Sequence, residues 1–180
     1  MKKLIIMSLA VVLFTACEQQ EQRYFADSDQ TKSLEAGLAA YESGDWDTWR
    51  SHFADTAKIY VNSSDPISVD DRLAQMREMT AAFNSYGFDK DDDHMEMVVD
   101  KNDETWVYYW ATHNGTMTNN SSLSIPVHLA MRYNDDGKIV AEHIYFDGTE
   151  LNAAMEAMMA EAETAEEAED ETTDMEEPED

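Results

Sequence analysis

Five histidines, one cysteine and three alternating aspartates are the residues of this chain best suited to hold a metal. His52, His94, His113, His128 and His143 show neither HxxxH nor HxH spacing, and no cysteine accompanies them. The spacing supports no metal site, and no cofactor is expected. Asp89, Asp91 and Asp93 resemble the opening of a calcium loop but lack its glycine and closing glutamate, which leaves a solvated turn. Trp46, Trp49 and Phe53 share one side of a short helical stretch, where they are either core or a stacking surface for a ligand.

The elements that would position these groups centre on Leu123 to Asp147. Two alternating β-favouring runs flank Asp135-Asp136-Gly137, a strong hairpin signal. Alternation puts Leu123, Ile125, Val127, Leu129, Met131 and Tyr133 on one face of the first arm. Upstream, Leu34, Leu38 and Tyr41 mark an amphipathic helix over Thr31 to Tyr41, and Asp45 caps a second over WDTWRSHFA. Ala57 to Asn62 reads as a strand. A third helix opens at Ser68 and Asp70 and runs through Phe83, with Leu73, Met76, Arg77 and Met79 along one flank, until Gly87 stops it. HMEMVVD and TWVYYWATHNGTM are strands, and Gly115 suggests a bulge. The order α-α-β-α-β-β-β-β, with hairpins after the third helix, predicts an α+β domain with a mostly antiparallel sheet.

The ends differ from this centre. Lys2, Lys3 and the apolar run Leu4 to Phe14 have the form of a signal segment, too short to span a bilayer. Thr15-Ala16-Cys17 resembles a bacterial lipobox, with Phe14 where the usual leucine stands. The resemblance implies acylation of Cys17, membrane attachment and, with Glu18 following, the outer membrane or periplasm of a Gram-negative cell. An ordinary secretory signal with an incidental cysteine is the alternative. The formal charge of −27 argues against nucleic acid as a partner. Thirteen acidic and no basic residues lie between Glu156 and Asp180, a composition that predicts helix to Ala165 and disorder beyond Glu166. The expected division is signal 1–16, lipidated cysteine and tether 17–29, domain 30–151 and acidic tail 152–180.

The helix, the turn Ser43-Gly44-Asp45-Trp46, the run Phe53-Ala54-Asp55, a strand, a helix and the closing GKIVAEHIYFD resemble, in that order, the SnoaL-like branch of the nuclear transport factor 2 (NTF2)-like superfamily. The resemblance implies a cystatin-like curved sheet wrapped around three N-terminal helices. It further implies a cone with an apolar pocket, and a homodimer through the outer sheet face. Catalytic groups of that superfamily do not carry over. The ketosteroid isomerase base falls at Val61, its oxyanion-hole tyrosine at Gly37 and its protonated aspartate at Leu129; the cyclase aspartate falls at Ile144 and its histidine at Glu142.

The pocket implied by this alignment is lined by Trp46, Trp49, Phe53, Val61, Leu129, Met131, Ile144 and Phe146. Glu142 is its one ionisable group, either an acid or base with a raised pKa or a carboxylate paired with Arg132 or a tyrosine. A one-residue slip would bring His143 and Tyr145 inward instead. In the unslipped alignment His128 and His143 are cross-strand neighbours on the outer face. The expectation is a lipid-anchored domain that binds a small apolar ligand or a protein partner without catalysis. The rival is a lyase, isomerase or cyclase acting through Glu142.

Overall fold

The computed structural model describes residues 21–174. The expected signal segment, Cys17 and the last six residues of the acidic tail lie outside the described residues. Within them the chain forms β1 (Tyr24–Phe25), α1 (Asp29–Ser43), α2 (Trp46–Ser51), β2 (Phe53–Val61), α3 (Val69–Ala81), β3 (Phe83–Phe88), β4 (His94–Val99), β5 (Thr105–Met117), β6 (Ser122–Tyr133), β7 (Ile139–Phe146) and α4 (Thr149–Asp174). The sheet order is β1-β4-β5-β6-β7-β2, with β3 also pairing β5. Every pairing is antiparallel except β2 with β7.

Each helix starts where its sequence supplies an acceptor for free backbone N–H groups. Ser28 Oγ accepts from Thr31 N at 3.0 Å while Thr31 Oγ1 accepts from Ser28 N at 2.9 Å, a reciprocal capping box. Ser68 and Asp71 repeat that arrangement at α3, and Asp45 accepts from Thr48 N at 3.1 Å to start α2. Gly44 ends α1 in the left-handed region (φ 69°), which only glycine occupies without strain. Leu34, Leu38 and Tyr41 of α1, Trp49 of α2 and Met76 of α3 then bury against Leu129, Met131 and Ile144 of the sheet.

Several boundaries differ from the expectation. Helix α3 stops at Ala81, and Phe83 to Phe88 is a strand paired with the far half of β5. Asn84, Ser85 and Gly87 interrupt the apolar alternation there, so the strand is defined by its partner rather than by its own pattern. Arg77, expected on the buried flank of α3, is exposed; the buried stripe runs through Val69, Met76 and Thr80. β2 begins at Phe53, four residues earlier than expected. The helix α4 continues to Asp174, past the expected break at Glu166. Its first turns bury Leu151, Ala154, Met155 and Met158 on a second cluster formed by Ala82, Met117, Leu123 and Ile125.

Gly115 does not mark a bulge in β5, which pairs continuously through it with β6; the irregularity lies in β3, between Phe83 and Ser85. The glycine is required by proximity, because a Cβ there would stand 2.5 Å from the Phe83 ring. Gly115→Ala is therefore expected to cost about 1–3 kcal/mol of unfolding free energy. Phe83→Leu in the same chain should recover part of that loss. Equal losses with and without Phe83 in a double-mutant cycle would place the strain elsewhere.

The hairpin turn supplies the feature that matters most downstream. Asn134 Oδ1 accepts from Asp136 N and Lys138 N (3.1 and 2.9 Å), and Gly137 is left-handed at φ 71°. Beyond it, Tyr133 pairs with Ile139 but Arg132 pairs with Ala141, so β7 carries one extra residue, Val140. A bulge of this kind reverses which side chains face inward. Ile139 and Glu142 both face the interior as a result, while His143 and Tyr145 lie on the outer face.

Candidate functional site

A cavity of about 120 Å³ lies between the inner face of the curved sheet and the helices. Ser33, Leu34, Gly37, Leu38 and Tyr41 of α1 form one wall, and Arg72, Met76 and Met79 of α3 another. Strand β6 contributes every second residue from Leu123 to Met131, and β7 contributes Ile139, Glu142, Ile144 and Phe146. Leu151 of α4 closes part of the rim.

Of the eight residues expected around a pocket, Trp49, Phe53, Leu129, Met131, Ile144 and Phe146 line this cavity. Trp46 and Val61 do not. Trp46 opens the first turn of α2, where its ring meets the edge of Tyr41 at 6.1 Å between centroids. Val61 ends β2 in register with Ile144 and is half-buried against the core, short of the cavity.

Glu142 lines the cavity at 4% exposure. Its Oε2 is buried without a hydrogen-bond partner. Burial disfavours the carboxylate and pushes its pKa up to about 7, with Arg72 working against the rise. Arg132, one of the partners considered for it, instead pairs with Glu104 beside Trp106 on the opposite face of the sheet. No tyrosine reaches Glu142 either. The hydroxyl of Tyr133 is buried and unpartnered, and burial holds its phenol above the ordinary range.

Sequence reasoning missed the remaining polar groups of the wall. Arg72 lines the cavity with its Nε buried and unpartnered, and it forms no ion pair among the described residues. Ser33 Oγ and His52 Nδ1 share a hydrogen bond of 3.0 Å. The His52 ring rests over Gly37, where a Cβ would lie in ordinary contact at 3.6 Å from His52 Cδ2. Elsewhere on the wall, the Tyr41 hydroxyl and His113 Nε2 are 3.0 Å apart. Burial lowers the pKa of both imidazoles, aided at His52 by Lys138 and opposed at His113 by Glu42. The signal for Arg72 was present, since Val69, Arg72 and Met76 follow i, i+3, i+7 spacing. It was obscured because Leu73 offers a competing apolar stripe one residue over.

The aspartates at 89, 91 and 93 make local bonds. Asp89 Oδ1 accepts from Asp91 N at 3.0 Å, and Asp93 Oδ2 accepts from the Tyr109 hydroxyl at 3.0 Å. Among the described residues no three His, Cys, Asp or Glu side chains gather at metal-binding distance.

The outer face of the sheet is aromatic. Tyr60 stacks on His143 at 4.4 Å and His128 on Trp110 at 4.7 Å; Trp106, Tyr108 and Tyr145 fill the gaps. Directly across the strands, His128 faces Tyr145 and His143 faces Ala130, so the two histidines are diagonal rather than opposite neighbours.

No protein-family model matches the chain, and no curated protein is detectably similar in sequence. Solved structures are similar in fold. A candidate polyketide cyclase from Xanthomonas campestris superposes with a TM-score of 0.57 at 15% identity, covering 69% of this chain and 94% of that one. An NTF2-like protein of unknown function from Burkholderia pseudomallei gives 0.55 at 14% identity over 69% and 95%. A candidate SnoaL-like polyketide cyclase from Shewanella denitrificans gives 0.56 at 9% identity over 73% and 99%.

Proposed function

We propose that this chain, whose fold is NTF2-like, is a binding domain for a small, largely apolar molecule held between sheet and helices with its polar group against Glu142. The observation that carries the reading is the unpartnered Oε2 of Glu142 in a largely apolar wall. A buried carboxyl oxygen with no partner is costly in a folded protein, and a ligand that supplies the missing hydrogen bond removes that cost. The size fits a single ring, since an apolar cavity of roughly 150 Å³ holds benzene.

A second reading has its own support. A carboxyl titrating near 7 is matched to general acid or base work at neutral pH, as in a lyase, isomerase or cyclase. Attachment through Cys17, supported by the lipobox resemblance, would present the domain at a membrane surface. Self-association through the aromatic outer face completes the proposal.

Native mass spectrometry on protein released gently from its own host tests the binding reading. A bound small molecule is expected in the native chain and not in Leu129→Phe, which adds volume at the cavity wall. A chain that carries nothing and also fails to bind benzyl alcohol in an NMR titration would overturn it. Turnover of the released molecule by the native chain, abolished in Glu142→Gln, would favour the second reading.

A further inference from the structure

We infer that the molecule held in the cavity is a small carboxylic acid, its carboxylate docked on the guanidinium of Arg72 and its second oxygen hydrogen-bonded by the side chain of Glu142. The inference deepens the binding reading above and rests on it. Its starting point is a charge imbalance in the wall. Among the described residues, Arg72 and Glu142 are the only cavity residues of charged type besides His52 and His113. Arginine stays protonated in proteins, whereas burial favours the neutral form of Glu142 and of both imidazoles. Near neutral pH the Glu142 carboxyl is only partly ionised, so the balance of charge in the cavity is positive, and it belongs to Arg72.

Arg72 is also short of partners. Its Nε is buried with no acceptor, and among the described residues no carboxylate pairs with it. Glu142 lies near enough for Arg72 to lower its pKa, yet the two form no ion pair. A ligand carboxylate fits that situation on both sides: one oxygen accepts from the guanidinium, and the other accepts the proton of a neutral Glu142. The assembly is then charge-neutral, with one cation, one anion and one carboxylic acid. A neutral alcohol would leave Arg72 unpaired. An amine would need Glu142 ionised and would carry its positive charge beside that of Arg72.

Two consequences follow for binding. The acid requires Glu142 protonated, so binding near neutrality draws a proton from solvent. The other titratable groups around the carboxyl are Arg72 from α3, Tyr133 from β6, His52 at the end of α2, and Tyr41 and His113 on the remaining wall; the phenols stay neutral across the range. The acidic exterior repels an approaching anion, and salt screens that repulsion while leaving the enclosed contact intact. Affinity for the acid should hold or rise with ionic strength, contrary to a surface ion pair.

Calorimetric titration of the full-length protein at pH 7 with benzoate, benzyl alcohol and benzylamine, each in two buffers of different ionisation enthalpy, tests the inference. Benzoate is expected to bind at least tenfold more tightly than benzyl alcohol, with proton uptake read from the buffer dependence. Arg72→Gln should weaken benzoate tenfold or more relative to benzyl alcohol, with a native circular dichroism spectrum showing the variant folded; Arg72→Lys should keep most of the benzoate affinity. Glu142→Gln should retain benzoate, because the amide still donates, and lose the proton uptake. Tightest binding by benzyl alcohol or benzylamine, or an Arg72→Gln protein that holds benzoate as well as the native chain, overturns the carboxylic acid while the cavity reading stands. Failure of all three probes overturns both.

Discussion

Replacing Glu142 by glutamine is expected to make the protein more stable at pH 8 than the native chain, and the gain should vanish near pH 4. The native carboxyl titrates at about 7 in the folded state against an ordinary 4.5. Folding therefore holds its proton more tightly than unfolding does. Below the unfolded value both states are protonated and the group carries no penalty. As pH rises from about 4.5 towards 7, the unfolded carboxyl ionises first and stability falls; above 7 the loss is constant. The interval corresponds to roughly 3 kcal/mol. Glutamine keeps the shape and removes the titration. Denaturant unfolding of both proteins at the two pH values isolates the term, because self-repulsion of the acidic surface rises with pH in each and cancels in the difference. A stability difference that does not change with pH would mean that Glu142 is solvated or paired.

The hairpin from Leu123 to Phe146 was legible because strict alternation leaves one face apolar, and five of the six inward residues of β6 are buried, with Val127 half-buried. Which face Glu142 would occupy was not settled by alternation alone. From Ile139, simple alternation sends Ala141 and His143 inward, and the extra residue Val140 reverses this. Bulges leave little trace in composition, so the resemblance to a known fold, rather than periodicity, put Glu142 on the correct face. Arg72 was lost to the opposite problem, an apolar residue beside it that made an equally plausible stripe. β1 has two residues and is held by pairing with β4 and by Arg23, whose guanidinium donates to the Asp100 carbonyl at 2.6 Å. A strand that short has no pattern to read. Trp46 was placed in the pocket because i, i+3 spacing puts it on the same side as Trp49, but it is the first residue of a six-residue helix, and its ring reaches Tyr41 instead.

Two glutamates introduced on the outer face are expected to abolish the self-association proposed for that face. A chain of formal charge −27 approaches a copy of itself at a cost over most of its surface. The strip running from Tyr60 through His143, Tyr108 and His128 to Trp110 is different, being aromatic and imidazole with Arg132 already neutralised by Glu104. Trp110 and Tyr145 stand 40% and 50% exposed there, which is unusual for large apolar side chains unless a partner covers them. Trp110→Glu combined with Tyr145→Glu should raise the dimer dissociation constant at least a hundredfold in analytical ultracentrifugation, with unfolding stability unchanged because neither residue belongs to the core. Two conditions follow from the same physics. Added salt should tighten the native dimer by screening repulsion between the acidic bodies. Acid should loosen it, since burial and Arg132 already lower the pKa of His143, and a further loss of solvent on association favours its neutral form still more. A dimer that dissociates in salt would instead be held by ion pairs, and one that survives both glutamates would be built on another face.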